Sequence, residues 1–230
     1  MAAKIPLRTL YSGSNAIGVS EYQSGDTIQV DNGIVMASDA GGTKPIYIDS
    51  DGGYGWRDIT SDISVRGIGA NNPSFTVFRN GIYAYEFPGS AASLKEAWLN
   101  FHIPHDYVLG TDIYFHAHWG NATATPSTNN VSWGFEYTFA KGHNQAAFPA
   151  TNTVYAYEAC SSTRYQHMVT ETAAVTMSGL EADSIILCRV FRDANYVNDT
   201  NTDTVHLFFV DLHYQSNNLA TKNKSPNFYT

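Results

Sequence analysis

Phe75-Thr76-Val77-Phe78-Arg79-Asn80-Gly81-Ile82-Tyr83-Ala84-Tyr85-Glu86-Phe87 decides the fold class. Apolar and polar residues alternate on both sides of Asn80-Gly81, a dipeptide whose members accept the left-handed backbone of a two-residue hairpin loop. The stretch therefore predicts two antiparallel strands, Phe75–Arg79 and Ile82–Phe87. The same period of two recurs downstream. Ala97, Leu99, Phe101 and Ile103 alternate with Trp98, Asn100 and His102 and run into Pro104. Ser93-Leu94-Lys95-Glu96 fits a helix capping box, but the alternation that follows favours a strand. Thr111–Trp119 reads as its return, with Phe115, Ala117 and Trp119 on one face and Tyr114, His116 and His118 on the other, so the two together predict a second hairpin. In Val131–Ala140 the residues Trp133, Phe135, Tyr137 and Phe139 share a face, and further strands are expected at Ile63–Gly67, Val154–Glu158, Ala173–Met177, Ser184–Arg192 and Thr204–Tyr214. Roughly eight to ten strands joined by loops of uneven length and without internal repeat fit a two-sheet antiparallel β-sandwich.

Composition agrees with an all-β chain. Of 230 residues 13% are aromatic and only 15% charged, while Asn, Thr, Ser and Gly abound, which is a turn-rich profile with enough large apolar side chains for a substantial core.

Upstream of residue 56 the pattern changes. Apolar residues come as isolated i, i+2 sets: Leu7 with Thr9 and Tyr11, with Leu10 between them; Ile17 with Val19; Ile28 with Val30; Ile34 with Met36; Ile46 with Ile48. Glycines separate them. Such pairs mark short extended stretches with one apolar face, too few to offset the chain entropy of ordering the segment. The chain is accordingly read as an extended N-terminal arm over residues 1–55, which needs a partner surface, and a body over residues 56–230. Leu7, Leu10, Tyr11, Ile17, Val19, Ile28, Val30, Ile34, Ile46 and Ile48 are the residues expected to make the assembly contacts. The turn at Asp49-Ser50-Asp51-Gly52-Gly53 marks the boundary. After Tyr214 the sequence becomes polar, and the C-terminus reads as a tail pinned by Phe228 and Tyr229.

A net charge of −8 with Lys and Arg scattered singly argues against nucleic acid as a partner. No apolar leader or bilayer-length run is visible, so no membrane partner is expected and the chain reads as made in a cytoplasm. Cys160 and Cys188 match neither a zinc pattern nor a disulfide framework and read as small buried hydrophobes.

The histidines are the most suggestive chemistry: His102 with His105, then His116 with His118. A His-x-His on a strand places two imidazoles on one face at a spacing that suits a shared metal. Gly110 followed by His116-Ala117-His118 also matches the start of the cupin metal motif, but the glutamate due three or four residues later is absent, Ala122 and Thr123 standing there, and Glu136 on the next strand is the acid that could substitute. The pair is read as part of a polar sheet face or of an inter-subunit contact. No metal, cofactor or catalytic residue is assigned, and His116 and His118 are the residues that would hold an ion if one were bound. Asp49-x-Asp51-Gly52 lacks the oxygens of a calcium loop and reads as a turn. No phosphate cradle or nucleophile elbow is present.

Two sets of motifs carry a resemblance. Leu7-Arg8-Thr9-Leu10-Tyr11 and Glu21-Tyr22-Gln23-Ser24-Gly25-Asp26-Thr27-Ile28 resemble the N-terminal segments of tailed-bacteriophage virion proteins. Ser64–Ala70, Ile103–Asp106, Phe115–Trp119, Tyr165–Thr172 and Thr221–Pro226 are similar to phage structural proteins. The resemblance implies a homotrimer in which three arms complete one another and three jelly-roll bodies project outward. It implies a virion structural protein rather than an enzyme. The expected role is a capsid decoration, or cement, protein on the outer surface of the head, held to the major capsid protein by its arm. The alternative is a tail-fibre or tailspike component whose body reads a host-surface glycan.

Overall fold

The computed structural model describes residues 7–12, 15–21, 34–36, 46–48, 55–66, 69–90, 94–126 and 128–230, the first four stretches through their backbone pairing alone. Contacts divide the chain into two compact units, Met1–Gly53 and Tyr54–Thr230. In the first, β1 (Leu7–Ser12) pairs antiparallel with β2 (Asn15–Glu21), and β3 (Ile34–Met36) pairs antiparallel with β4 (Ile46–Ile48).

The second unit holds β5 (Gly55–Ser61), β6 (Ser74–Arg79), β7 (Ile82–Phe87), β8 (Lys95–His102), β9 (Tyr114–Asn121), β10 (Asn130–Ala140), β11 (Asn152–Ala159), β12 (Met168–Glu171), β13 (Ile185–Arg192) and β14 (Val205–Ser216). No helix occurs among the described residues. The strands form a six-stranded sheet, ordered β12-β9-β14-β7-β6 with β5 also on β14, and a four-stranded sheet, ordered β11-β10-β13-β8. The antiparallel partnerships nest as β7 with β14, β8 with β13, β9 with β12 and β10 with β11, which is the jelly-roll arrangement of a β-sandwich. β14 is the spine. One of its edges pairs with β9, while the other is shared by β7, at Val205–Leu207, and β5, at Val210–Ser216.

The period of two explains the core. Ala97, Leu99 and Phe101 of β8, Phe115, Ala117 and Trp119 of β9, and Val131, Trp133 and Phe135 of β10 are all buried between the sheets. Phe115 stacks on Phe135 with ring centroids 5.2 Å apart, and Phe87 meets Trp133 edge-on at 5.1 Å. Aromatic contacts of this kind add about 0.5–1.5 kcal/mol each beyond the burial of their surface. At one end Arg192, fully buried, donates from Nε and Nη2 to Asp199 at 2.8 and 2.9 Å and from Nη1 to the carbonyls of Phe87 and Asp203 at 2.7 and 2.9 Å. Both cysteines are free and buried; burial pushes the Cys160 thiol up to about 11 and raises that of Cys188 further. Phe228 is buried, and the Tyr229 hydroxyl accepts from the Ala182 N–H at 3.1 Å, so the tail is pinned by both aromatics.

The Asn80-Gly81 hairpin is present, with Asn80 in the left-handed conformation at φ 53° and a bulge between Val77 and Arg79. The second expected hairpin is not. β8 pairs with β13, and β9 pairs with β12 and β14 in the opposite sheet. Alternation reports that each strand buries one face but not which sheet it joins, and both bury that face against the same core. Among the described residues, the expected strand at Ile63–Gly67 is reduced to one bridge, Ser64 with Trp98, and that at Ala173–Met177 to one, Val175 with Ile113. β5 and β12 are strands that alternation does not predict.

Candidate functional site

The outer face of the six-stranded sheet carries four of the histidines. β9 alternates Phe115, Ala117 and Trp119 into the core, which leaves His116 and His118 pointing outward on one face. Register then sets their neighbours: Asp211 of β14 stands beside His116 on one side and Glu171 of β12 on the other. One rung along, His213 of β14 stands between Tyr114 of β9 and Asp58 of β5. Imidazoles and carboxylates therefore alternate across four neighbouring strands.

The contacts are close. His116 Nε2 lies 2.5 Å from Glu171 Oε2, and its Nδ1 lies 3.3 Å from Asp211 Oδ1. His118 Nε2 lies 3.1 Å from Asp211 Oδ2, and its Nδ1 lies 2.8 Å from His167 Nε2. His213 pairs through Nε2 with Asp58 and has Nδ1 3.7 Å from Glu171. Burial opposes charge on His116, yet the Asp211 and Glu171 carboxylates more than offset it and raise its pKa. Burial likewise opposes ionisation of Asp211, but the two imidazoles hold its carboxyl down to about 2. Among the described residues two groups could hold a metal ion, His116 with His118 and Asp211, and His116 with Asp58 and His213. Beside them Trp56, Tyr114, Glu171 and His213 line an open pocket of about 420 Å³, with Trp56 half-exposed and edge-on to Tyr114 at 5.5 Å.

His102 and His105 go elsewhere. Both meet Asp183, at 3.3 and 3.1 Å, and His143 donates from Nε2 to its other oxygen at 2.8 Å. The hydrogen bond from His143 is the main cause of a lowered Asp183 pKa. Glu136, considered above as a partner for the His-x-His pair, lies on β10 in the other sheet, where it pairs with Arg189 at 2.6 Å and accepts from Thr151 at 2.8 Å. There, Arg66, Trp98, Asn100, Glu136 and Arg189 help to line a groove of about 470 Å³.

Of the residues expected to make assembly contacts, Leu7, Leu10 and Tyr11 lie on β1, Ile17 and Val19 on β2, Ile34 on β3, and Ile46 and Ile48 on β4. Val19 stands opposite Thr9 and Ile34 opposite Ile48. Ile28, Val30 and the Asp49–Gly53 turn are outside the described residues. The sequence pattern found His116 and His118 but missed Asp58, His167, Glu171, Asp211 and His213. One signal was available: Asp211-Leu212-His213 repeats the polar i, i+2 pairing on an otherwise apolar strand.

No family model matches the chain, and no curated protein is significantly similar to it in sequence. Among solved structures it is similar to the xylan-binding CBM22-2 domain of Paenibacillus barcinonensis Xyn10C, at 12% identity over 70% of this chain and 91% of that one with a TM-score of 0.30. It is similar to the receptor-binding domain of the bacteriophage PM2 spike protein P1, at 13% identity over 55% and 81% with a TM-score of 0.27. A third is the carbohydrate esterase vb_24B_21 of the Shiga toxin-encoding bacteriophage phi24B, at 12% identity over 70% and 91% with a TM-score of 0.23. Scores this low assign neither a family nor a role.

Proposed function

We propose that the chain is a structural protein of a tailed-bacteriophage virion, a trimeric capsid decoration protein. Its first unit docks on the major capsid protein and on its sister subunits, and its jelly-roll body projects from the shell. The observation that carries this is the division of labour within the chain: a body with a full core of its own, and a separate unit whose described strands pair only two by two. A lone two-stranded hairpin is marginal in water, so such strands gain most from being covered or extended by another chain. The motifs that resemble those of phage structural proteins support the same reading. No catalysis is assigned to the body.

Phage heads stripped of accessory proteins provide the test. The full chain is expected to rebind them and residues 54–230 to fail. Equal rebinding by the two would contradict the proposal. A second role, reading a host-surface glycan from the tail, is favoured by the open pocket with Trp56 and Tyr114 beside the Glu171 carboxylate, since sugars stack on such rings and bond to such acids. Binding of residues 54–230 alone to host cells, lost in Trp56→Ala, would move the assignment to that role.

A further inference from the structure

We propose that the body binds one divalent transition-metal ion of the zinc class on the outer face of its six-stranded sheet, held by His116 Nδ1, His118 Nε2 and the Asp211 carboxylate. Three features of the geometry point there, beginning with ligand spacing. A tetrahedral zinc with bonds of about 2.0–2.1 Å keeps its ligand atoms about 3.3–3.4 Å apart. The two imidazole nitrogens stand 3.3 and 3.1 Å from one or the other Asp211 oxygen, and the three ligand atoms lie within 4.8 Å of one another, so side-chain adjustment on fixed strands brings them to an ion between them.

The second feature is an oxygen without a hydrogen bond. Asp211 is buried, and its Oδ1 accepts none, since His116 Nδ1 lies at ion-pair distance but off the line a hydrogen bond needs. A buried carboxylate oxygen left so is costly, and a bound cation satisfies it directly.

The third is the orientation of the far side of each ring. A metal-ligating histidine commonly gives its other N–H to a carboxylate or similar acceptor, which fixes the tautomer. Here His116 Nε2 faces Glu171 Oε2 at 2.5 Å, and His118 Nδ1 faces His167 Nε2 at 2.8 Å. With both rings neutral, each donates outward to its acceptor and turns a lone pair on the ion. Glu171 and His167 are thus positioning residues.

A network of ion pairs without a metal is the competing account. It places a doubly protonated His116 between two acids, with the His213 ring 4.0 Å away, and gives Asp211 Oδ1 an ion-pair contact at 3.3 Å without hydrogen-bond geometry. The neighbouring group of Asp58, His116 and His213 is the less fitted holder. It shares His116 with the first group, and the Asp58 side chain is about half exposed at 47%. Calcium and magnesium are disfavoured, because they take oxygen ligands and imidazole does not suit them.

The test uses the full chain, stripped with chelator and titrated with zinc by calorimetry, with metal content after dialysis as a second readout. About one equivalent is expected per chain, with a zinc-dependent rise in Tm. His118→Gln and Asp211→Asn should abolish that site. Glu171→Gln should weaken it roughly 10–100-fold without removing a ligand. His143→Gln, at the Asp183 centre, should leave it unchanged. Cobalt(II) in place of zinc gives a visible spectrum that reports coordination, and near-ultraviolet circular dichroism of each variant separates a lost site from a lost fold. Absence of stoichiometric zinc in the folded parent, or retention of it in folded His118→Gln, overturns the proposal, as does loss in His213→Gln with full retention in His118→Gln.

Discussion

The two units differ in how many described strands join in one sheet. In the body β9, β10, β13 and β14 each have hydrogen-bonded neighbours on both sides, and the faces they turn inward meet one continuous core. Among the described residues of the first unit, β1 pairs with β2 alone, and β3, three residues long, with β4 alone. Cooperativity follows from strand number: a sandwich shares each buried residue among several strands, whereas an isolated hairpin of three-residue strands fixes backbone entropy with little burial in return. Damage to the body should therefore unfold it alike with or without residues 1–53.

The largest effect is expected at Arg192. Its guanidinium and the Asp199 carboxylate are both buried, so Arg192→Met leaves an unpaired charge and should cost about 3–5 kcal/mol in denaturant unfolding, equally in the full chain and in residues 54–230. A smaller loss is expected at Gly134 on β10. A Cβ there would run into the Phe191 ring on the paired strand β13, so Gly134→Ala should cost about 1–3 kcal/mol by overpacking. A cost confined to the full chain in either case would show that the body is not self-sufficient.

The smallest effect is one of pH. His206 is buried on β14, with Nε2 3.3 Å from Thr76 Oγ1 and no hydrogen bond at Nδ1, and burial lowers its pKa below the usual 6.5. The unfolded chain then takes up a proton near pH 6.5 that the folded chain refuses, so this residue subtracts stability as pH falls from about 6.5 toward the folded pKa and is without effect above that window. Urea midpoints should fall across that range in the parent and less so in His206→Gln. Identical pH profiles for the two would remove His206 as the cause.

Much of the body was legible in sequence because alternation reports burial directly. The strands at Phe75–Phe87, Ala97–Phe101, Phe115–Trp119 and Trp133–Tyr137 follow from it, and the Asn80-Gly81 turn from backbone preference alone. Sheet membership was not legible, since β8 and β9 each bury one face against a common core and no local signal says from which side. β5 escaped because its sequence, Gly55-Trp56-Arg57-Asp58-Ile59-Thr60-Ser61, has only Ile59 packed on the core. The histidine site was half visible. His116 and His118 stand two residues apart, whereas Asp211 lies 93 positions beyond His118, and only the register of β14 on β9 brings them together. His102 and His105 looked equivalent to them in sequence but sit at the end of β8 and beyond it, in the opposite sheet, and so converge on Asp183.

The decisive measurement is the solution mass of two chains, the full protein and residues 54–230, by light scattering at matched concentration. The prediction is a trimer for the full chain and a folded monomer for residues 54–230. A body that remains trimeric without residues 1–53, or a full chain that is monomeric, would contradict it.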